Sequence, residues 1–256
     1  MDRQNGPIER VLDRIIWSAD VANEAVLMAV LNAMTKLRIV KIDRLFLTGI
    51  DLSVIDRLNE LGLKSFIDAK IVEIPSKLEA IARKYLVHKP WMLNCMAGAA
   101  SSMVLTNEDR DKIDGLKRFA DACHEVGTKP CGVSVLTSKS EEVIMREFCR
   151  LNTEQVLCYA EMLVDCGFTD MVCSPSELVA IRSDSRFNKL ELNTPGIRPI
   201  DSDVGDQVRI STPEWAFENG VDRIVLGRPI TQGNPAENLR KIAVSCQHLS
   251  MFQKAG

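Results

Sequence analysis

The segment from Ser65 to Pro75 reads Ser-Phe-Ile-Asp-Ala-Lys-Ile-Val-Glu-Ile-Pro and carries the densest chemistry in the chain. On a strand, side chains alternate, so Asp68 and Lys70 face one way while Ile67, Ala69 and Ile71 face the other. The apolar set suits a face covered by helices. That leaves a carboxylate and an ammonium side by side on the opposite face. Burying them costs on the order of several kcal/mol per ion before compensation. Such a pair is therefore either an interior salt bridge or an acid–base constellation. A second cation, Lys41, sits in Arg38-Ile39-Val40-Lys41-Ile42 and points inward if Val40 and Ile42 point outward; the other possibility is a surface lysine at a strand end. Asp20 follows the apolar run Ile15-Ile16-Trp17-Ser18-Ala19, where it could serve a ligand or cap the next helix. Ser138, in Val135-Leu136-Thr137-Ser138-Lys139, carries the same pair of readings, hydroxyl ligand or helix cap.

A different chemistry is written in the last third of the chain. Thr194-Pro195-Gly196-Ile197-Arg198-Pro199, Gly205-Asp206-Gln207-Val208-Arg209 and Gly227-Arg228-Pro229-Ile230 combine an amide donor at Gln207, a guanidinium at Arg228 and close backbone approach at Gly227. These are the parts of a phosphate site.

Such residues need a scaffold that brings strand ends together. Short β-type runs begin at Ile15, Arg38, Lys64, Pro90, Cys131, Asp170, Lys189 and Arg223, and amphipathic helical stretches lie between them, among them Ala22–Lys36, Ser76–Tyr85, Asn107–Val126, Asn152–Cys166 and Ala236–Cys246. Eight strand–helix units in 256 residues with no linker-like stretch predict an α/β fold, a single (β/α)8 TIM barrel spanning residues 1–256 as one domain. The first strand is not followed by a Gly-rich dinucleotide turn. In a barrel the active site lies at the C-terminal strand ends, and the loops after strands seven and eight are its usual phosphate site.

Composition narrows the partners. A net charge of −3, with the 32 Lys and Arg spread along the chain, argues against nucleic acid, which requires a basic stripe. The longest apolar run is the seven residues Ala25–Leu31, whereas a membrane span needs roughly 20. No secretory leader is evident in residues 1–14, so a cytoplasmic location is expected. The eight cysteines form no C-x-x-C pair and read as free thiols. The three histidines supply neither a zinc site nor a Ser-His-Asp triad.

Together these segments resemble the orotidine 5′-phosphate decarboxylase family. Its D-x-K-x-x-D signature followed by Ile-Pro is matched by Asp68-Ala69-Lys70-Ile71-Val72-Glu73-Ile74-Pro75, and its T-P-G-I-R-P, D-Q-x-R-x-x-T-P and G-R-P-I-T segments by Thr194–Pro199, Asp206–Pro213 and Gly227–Thr231. Lys41, 27 positions before Asp68, stands where the family has its strand-two lysine. The resemblance covers about Ile15 to Ile242. It implies decarboxylation of orotidine 5′-monophosphate (OMP) to UMP, the last step of de novo pyrimidine synthesis, by a homodimer that uses no metal and no organic cofactor. Lys41, Asp68, Lys70 and Glu73 would form the charged tetrad, Glu73 reaching into the partner's site. Asp20 would bind the ribose, Ser138 the pyrimidine, and Gln207, Gly227 and Arg228 the phosphate, with Pro195 in the same substrate-binding set. The loop from Gly196 to Val204 would close over the phosphate. In three places the chain departs from the family pattern, with Glu73 in place of Asp, Lys77 in place of Thr and Asn94 in place of a histidine often found at the end of strand four. Two other readings accompany this one: a sugar-phosphate decarboxylase or aldolase of the same barrel group, for which a Mg2+ site is expected, and a non-catalytic nucleotide-binding homologue.

Overall fold

Eight parallel strands close in sequence order: β1 (Ile15–Ser18), β2 (Ile39–Asp43), β3 (Lys64–Ile71), β4 (Met92–Met96), β5 (Lys129–Val133), β6 (Asp170–Val172), β7 (Glu191–Thr194) and β8 (Arg223–Leu226), with β8 pairing back onto β1. The computed structural model describes residues 6–43, 49, 51–99, 114–199 and 211–253. Around the barrel run α1 (Pro7–Leu12), α2 (Glu24–Ala33), α3 (Val54–Glu60), α4 (Pro75–Leu86), α5 (Asp114–Glu125), α6 (Glu141–Phe148), α7 (Asn152–Asp165), α8 (Leu178–Arg182), α9 (Pro213–Glu218), α10 (Arg228–Thr231), α11 (Pro235–Cys246) and α12 (Ser250–Gln253). The expected (β/α)8 barrel is the observed architecture.

Alternation along the strands builds two separate cores. Outward-facing Ile15, Trp17, Val40, Ile42, Ile67, Ala69, Leu93, Met171, Leu192, Ile224 and Leu226 belong to the large core between sheet and helices. Inward-facing Ile16, Ile39, Phe66, Met92, Cys131 and Val225 form a smaller one inside the barrel. The helices present matching stripes. In α4 the buried positions are Leu78, Ala82 and Leu86, a spacing of four that keeps one face on the sheet, and Pro75 starts the helix where its missing N–H costs nothing. Helix α7 approaches β5 so closely that a Cβ at Gly132 would lie 2.3 Å from Leu163 Cδ2, which makes glycine a packing requirement there.

The N-terminal end of the barrel is sealed by charge. Asp170, fully buried, accepts hydrogen bonds from Lys129 Nζ at 2.8 Å, Arg223 Nη1 at 2.9 Å and Asn193 Nδ2 at 3.1 Å, while Glu191 pairs with the same two cations. Lys64, Lys129 and Arg223 also stand over the Trp91 ring, 5.4, 6.0 and 5.0 Å from its centroid. Satisfied on all sides, this floor leaves the opposite end of the barrel for function.

Several boundaries differ from the sequence expectation. Strand β2 runs one residue past Ile42 to Asp43, β5 starts at Lys129 because it pairs with Met92, and α6 is an additional helix that starts with Ser140 accepting from Val143 N at 3.4 Å. The stretch expected as a helix from Asn107 is described from Asp114. All eight cysteines are free thiols, six of them buried, and burial pushes Cys246 up to about 12. Among the described residues no helix is long and apolar enough to cross a membrane.

Candidate active site

Above the inner core the strand ends line a cavity of about 280 Å³. Its wall carries Ser18 and Asp20 from β1, Lys41 from β2, Asp68 and Lys70 from β3, Val133 and Thr137 from β5 and the turn after it, Pro195, Gly196 and Arg198 after β7, and Gly227 and Arg228 after β8. Lys41 takes the inward position that alternation assigns it. Only 12% of its side chain is exposed, so the surface-lysine alternative does not hold.

Asp68 is the hub of the cavity floor. Lys41 Nζ donates to Asp68 Oδ2, Lys70 Nζ lies 2.8 Å from the same oxygen, and Asn94 Nδ2 donates to Oδ1 at 2.7 Å. Burial by itself would push this carboxyl up, but the two ammonium charges and their hydrogen bonds outweigh it and hold the group down at about 2. Asp68 is thus a fixed negative charge inside a low-dielectric wall. Asp43 Oδ2 stands 3.5 Å from Lys70 Nζ on the side of β2.

Lys70 reaches the cavity by a route that simple alternation does not describe. The β3–β4 register runs Phe66↔Met92 and Ile67↔Leu93, then slips and resumes at Ile71↔Cys95. Within the slip Lys70 has φ 43°, a left-handed conformation unfavourable for a side chain of this size. The Lys70 N–H is taken by Asn94 Oδ1 at 2.7 Å. Asn94, fully buried, therefore holds the backbone of Lys70 and the carboxylate of Asp68 with one amide. A bulge next to an active site that re-aims one side chain is a recurrent use of this irregularity.

Around the rim, the helix-cap alternatives for Asp20 and Ser138 fall away. Asn23 caps α2, accepting from Val26 N at 3.0 Å, and Ser140 caps α6. Asp20 is exposed at the cavity mouth, where Ser18 Oγ lies 3.4 Å from its Oδ1. Gly227, just past the end of β8, is the neighbour of Asp20 across the rim: a Cβ there would lie 3.4 Å from Asp20 Oδ2, an ordinary contact distance. Ser138 is exposed in its turn and does not line the cavity, whereas Thr137 does. Pro195 and Arg228 are on the wall; Gln207 lies outside the described residues, as do positions 200–204 of the expected closing loop. The two ends of that loop are tied together, with Arg198 N donating to Ser211 O at 2.8 Å and Ser211 N to Gly196 O at 3.2 Å. Glu73 sits beyond β3 with its Oε2 accepting the Ile74 N–H at 2.9 Å. Among the described residues no three His, Cys, Asp or Glu side chains converge as a metal site requires.

The sequence assigns Asp43 and Arg198 no role in this site and marks Asn94 only as a departure from the family pattern. Alternation places both Asn94 and Asp43 inward, since Asn94 follows inward Met92 by two and Asp43 follows Lys41 by two. Arg198, buried and on the cavity wall, lies inside a motif whose neighbours drew the attention.

A closed (β/α)8 barrel with a Lys–Asp–Lys array on the floor of a cavity at the C-terminal strand ends, beneath a cation-bearing rim, defines a small-molecule site of the barrel-enzyme class. Residues 13–242 match the profile of the orotidine 5′-phosphate decarboxylase / HUMPS family, and the chain belongs to that family. Similar relatives include the orotidine 5′-phosphate decarboxylase of Syntrophomonas wolfei, 32% identical over 90% of this chain and 96% of the relative. That of Haemophilus influenzae strain Rd is 32% identical over 91% and 98%. Among solved structures, the orotidine 5′-phosphate decarboxylase of Lactobacillus acidophilus superposes with a TM-score of 0.75 at 26% identity, covering 91% of this chain and 98% of that one.

Proposed function

We propose that this protein decarboxylates OMP to UMP, using its own charged side chains for the chemical step and acting as a cytoplasmic homodimer. The observation that carries the reading is the ion array at the cavity floor, Lys41–Asp68–Lys70, in which an ionised carboxylate lies 2.8 Å from the Lys70 ammonium under a rim bearing Arg228. The phosphate is taken by Arg228 with the backbone at Gly227 and by Gln207, the ribose hydroxyls by Asp20, and the pyrimidine lies beside Pro195, with Ser138 reaching it from the turn after β5, one residue past the Thr137 that lines the cavity. That orientation sets the C6 carboxylate against Asp68. The C6–carboxyl bond then breaks, CO2 departs, the electron pair stays on C6, and Lys70 first offsets that charge and then gives it a proton. Loss of CO2 also removes the repulsion with Asp68.

Glu73 is assigned to the partner's site, completing the tetrad across a two-fold interface. Exposed Val72 and Ile74, at 65% and 56%, flank it and supply the apolar surface that a second copy would cover. The reading is tested by following OMP absorbance with the purified protein beside an active family member. Conversion to UMP supports it; no conversion while the reference enzyme turns over defeats it.

A further inference from the structure

The resemblance assigns the fourth charge of the array to Glu73 of a second copy, yet a carboxylate already faces Lys70 within the chain. Asp43 is the last residue of β2 and stands opposite Asp68 in the β2–β3 register, so the two acids are direct cross-strand neighbours. Like charges so placed repel. They are tolerated here because cations interleave with them: Lys41 pairs with Asp68, and Lys70 Nζ stands 2.8 Å from Asp68 Oδ2 and 3.5 Å from Asp43 Oδ2. Resting on the decarboxylation reading, we infer that Asp43 is a positioning residue for Lys70, a carboxylate supplied within the chain in addition to the partner's at the edge of the charge array.

Two features favour a functional part over a merely structural one. Asp43 is about one third exposed, at 34%, and its distance to Lys70 is that of a loose ion pair, which contributes little to stability. Its electrostatic effect at the cavity floor is larger. Asp43 adds one negative charge to the floor and so weakens its hold on the substrate carboxylate in the ground state. Without Asp43 the floor is more positive by one charge, which holds the reactant carboxylate more tightly and lowers the gain from losing it. An ammonium has three N–H donors. With two directed at Asp43 and Asp68, the third is left for the reacting carbon.

The variant Asp43→Asn keeps the shape and removes the charge. The expected result is a fall in kcat of about tenfold with KM unchanged or lower, UMP affinity unchanged because UMP lacks the carboxylate, and recovery of most of the rate in Asp43→Glu. A purely structural role would raise KM, weaken UMP binding or lower the fraction folded instead, and unchanged kcat in Asp43→Asn would overturn the assignment outright. Should Asp43→Asn not fold, Asp43→Ser takes its place with the same outcomes. A wild type inert towards OMP would defeat the decarboxylation reading separately. Asp43 would then be judged by the ratio of OMP to UMP affinity, which rises about tenfold on Asp43→Asn if the assignment holds and stays unchanged if it does not.

Discussion

The side-chain oxygen of Asn94 accepts the backbone N–H of Lys70 at 2.7 Å, at the point where the β3–β4 ladder slips. The same amide donates to Asp68 at 2.7 Å, so the two charged groups of the cavity floor are indexed to one rigid residue on the next strand. Asn94→Ala removes both bonds and leaves the Lys70 N–H and one Asp68 oxygen without this partner. A destabilisation of about 1–3 kcal/mol is expected, seen as a lower urea midpoint, with a loss of kcat larger than the change in KM. An Asn94→Ala protein with wild-type kcat would show that the indexing is dispensable.

The left-handed backbone of Lys70, φ 43°, is a local cost that glycine would not bear. Lys70→Gly should therefore be more stable than Lys70→Ala by about 1 kcal/mol, against the usual order in strands. Equilibrium unfolding of the two variants checks this. The reverse order would mean that the conformation relaxes once the side chain is gone.

Asp68 titrates at about 2 in the folded chain against 3.8 for an ordinary aspartate. A carboxyl lowered by folding contributes stability that is complete above its unfolded value and disappears as pH falls through the folded one. The advantage of the wild type over Asp68→Asn should accordingly be constant above pH 3.8 and shrink towards pH 2, as denaturant titrations at a series of pH values would show. A constant difference down to pH 2 would contradict the pairing with Lys41 and Lys70.

The charged floor at the other end of the barrel is structural. Asp170→Ala leaves Lys129 and Arg223 short of a fully buried partner and should cost about 3–5 kcal/mol, while kcat in the protein that remains folded stays at the wild-type value. A selective loss of kcat without loss of stability would place function at that end instead.

Much of this arrangement is legible from alternation alone. Ile67, Ala69 and Ile71 on one face and Asp68 on the other, or Val40 and Ile42 against Lys41, follow from a period of two plus the demand that apolar faces meet helices. The bulge at Lys70 is not legible, because it depends on how β3 pairs with β4 and on the Asn94 amide that replaces a ladder bond. Asn94 stands out in the sequence only as a departure from the family pattern, without its two bonds, and Asp43 lies one residue past the expected end of its strand. The network of Lys129, Asp170, Glu191 and Arg223 begins four different elements, and only closure of the barrel brings those strand starts together. Helix α6 is not legible because its eight residues are too few to display a repeating stripe and only Ile144 is buried.

The most direct test of the Lys70 assignment compares the wild type with Lys70→Ala in one experiment, measuring conversion of OMP to UMP and the affinity for UMP in both. Conversion by the wild type, none detectable in Lys70→Ala, and UMP affinity close to wild type in the variant are expected under the proposal that Lys70 acts on the carbon that loses its carboxylate while Arg228 and Gly227 hold the phosphate. Turnover that survives in Lys70→Ala, or a wild type that binds UMP tightly and never converts OMP, would contradict it.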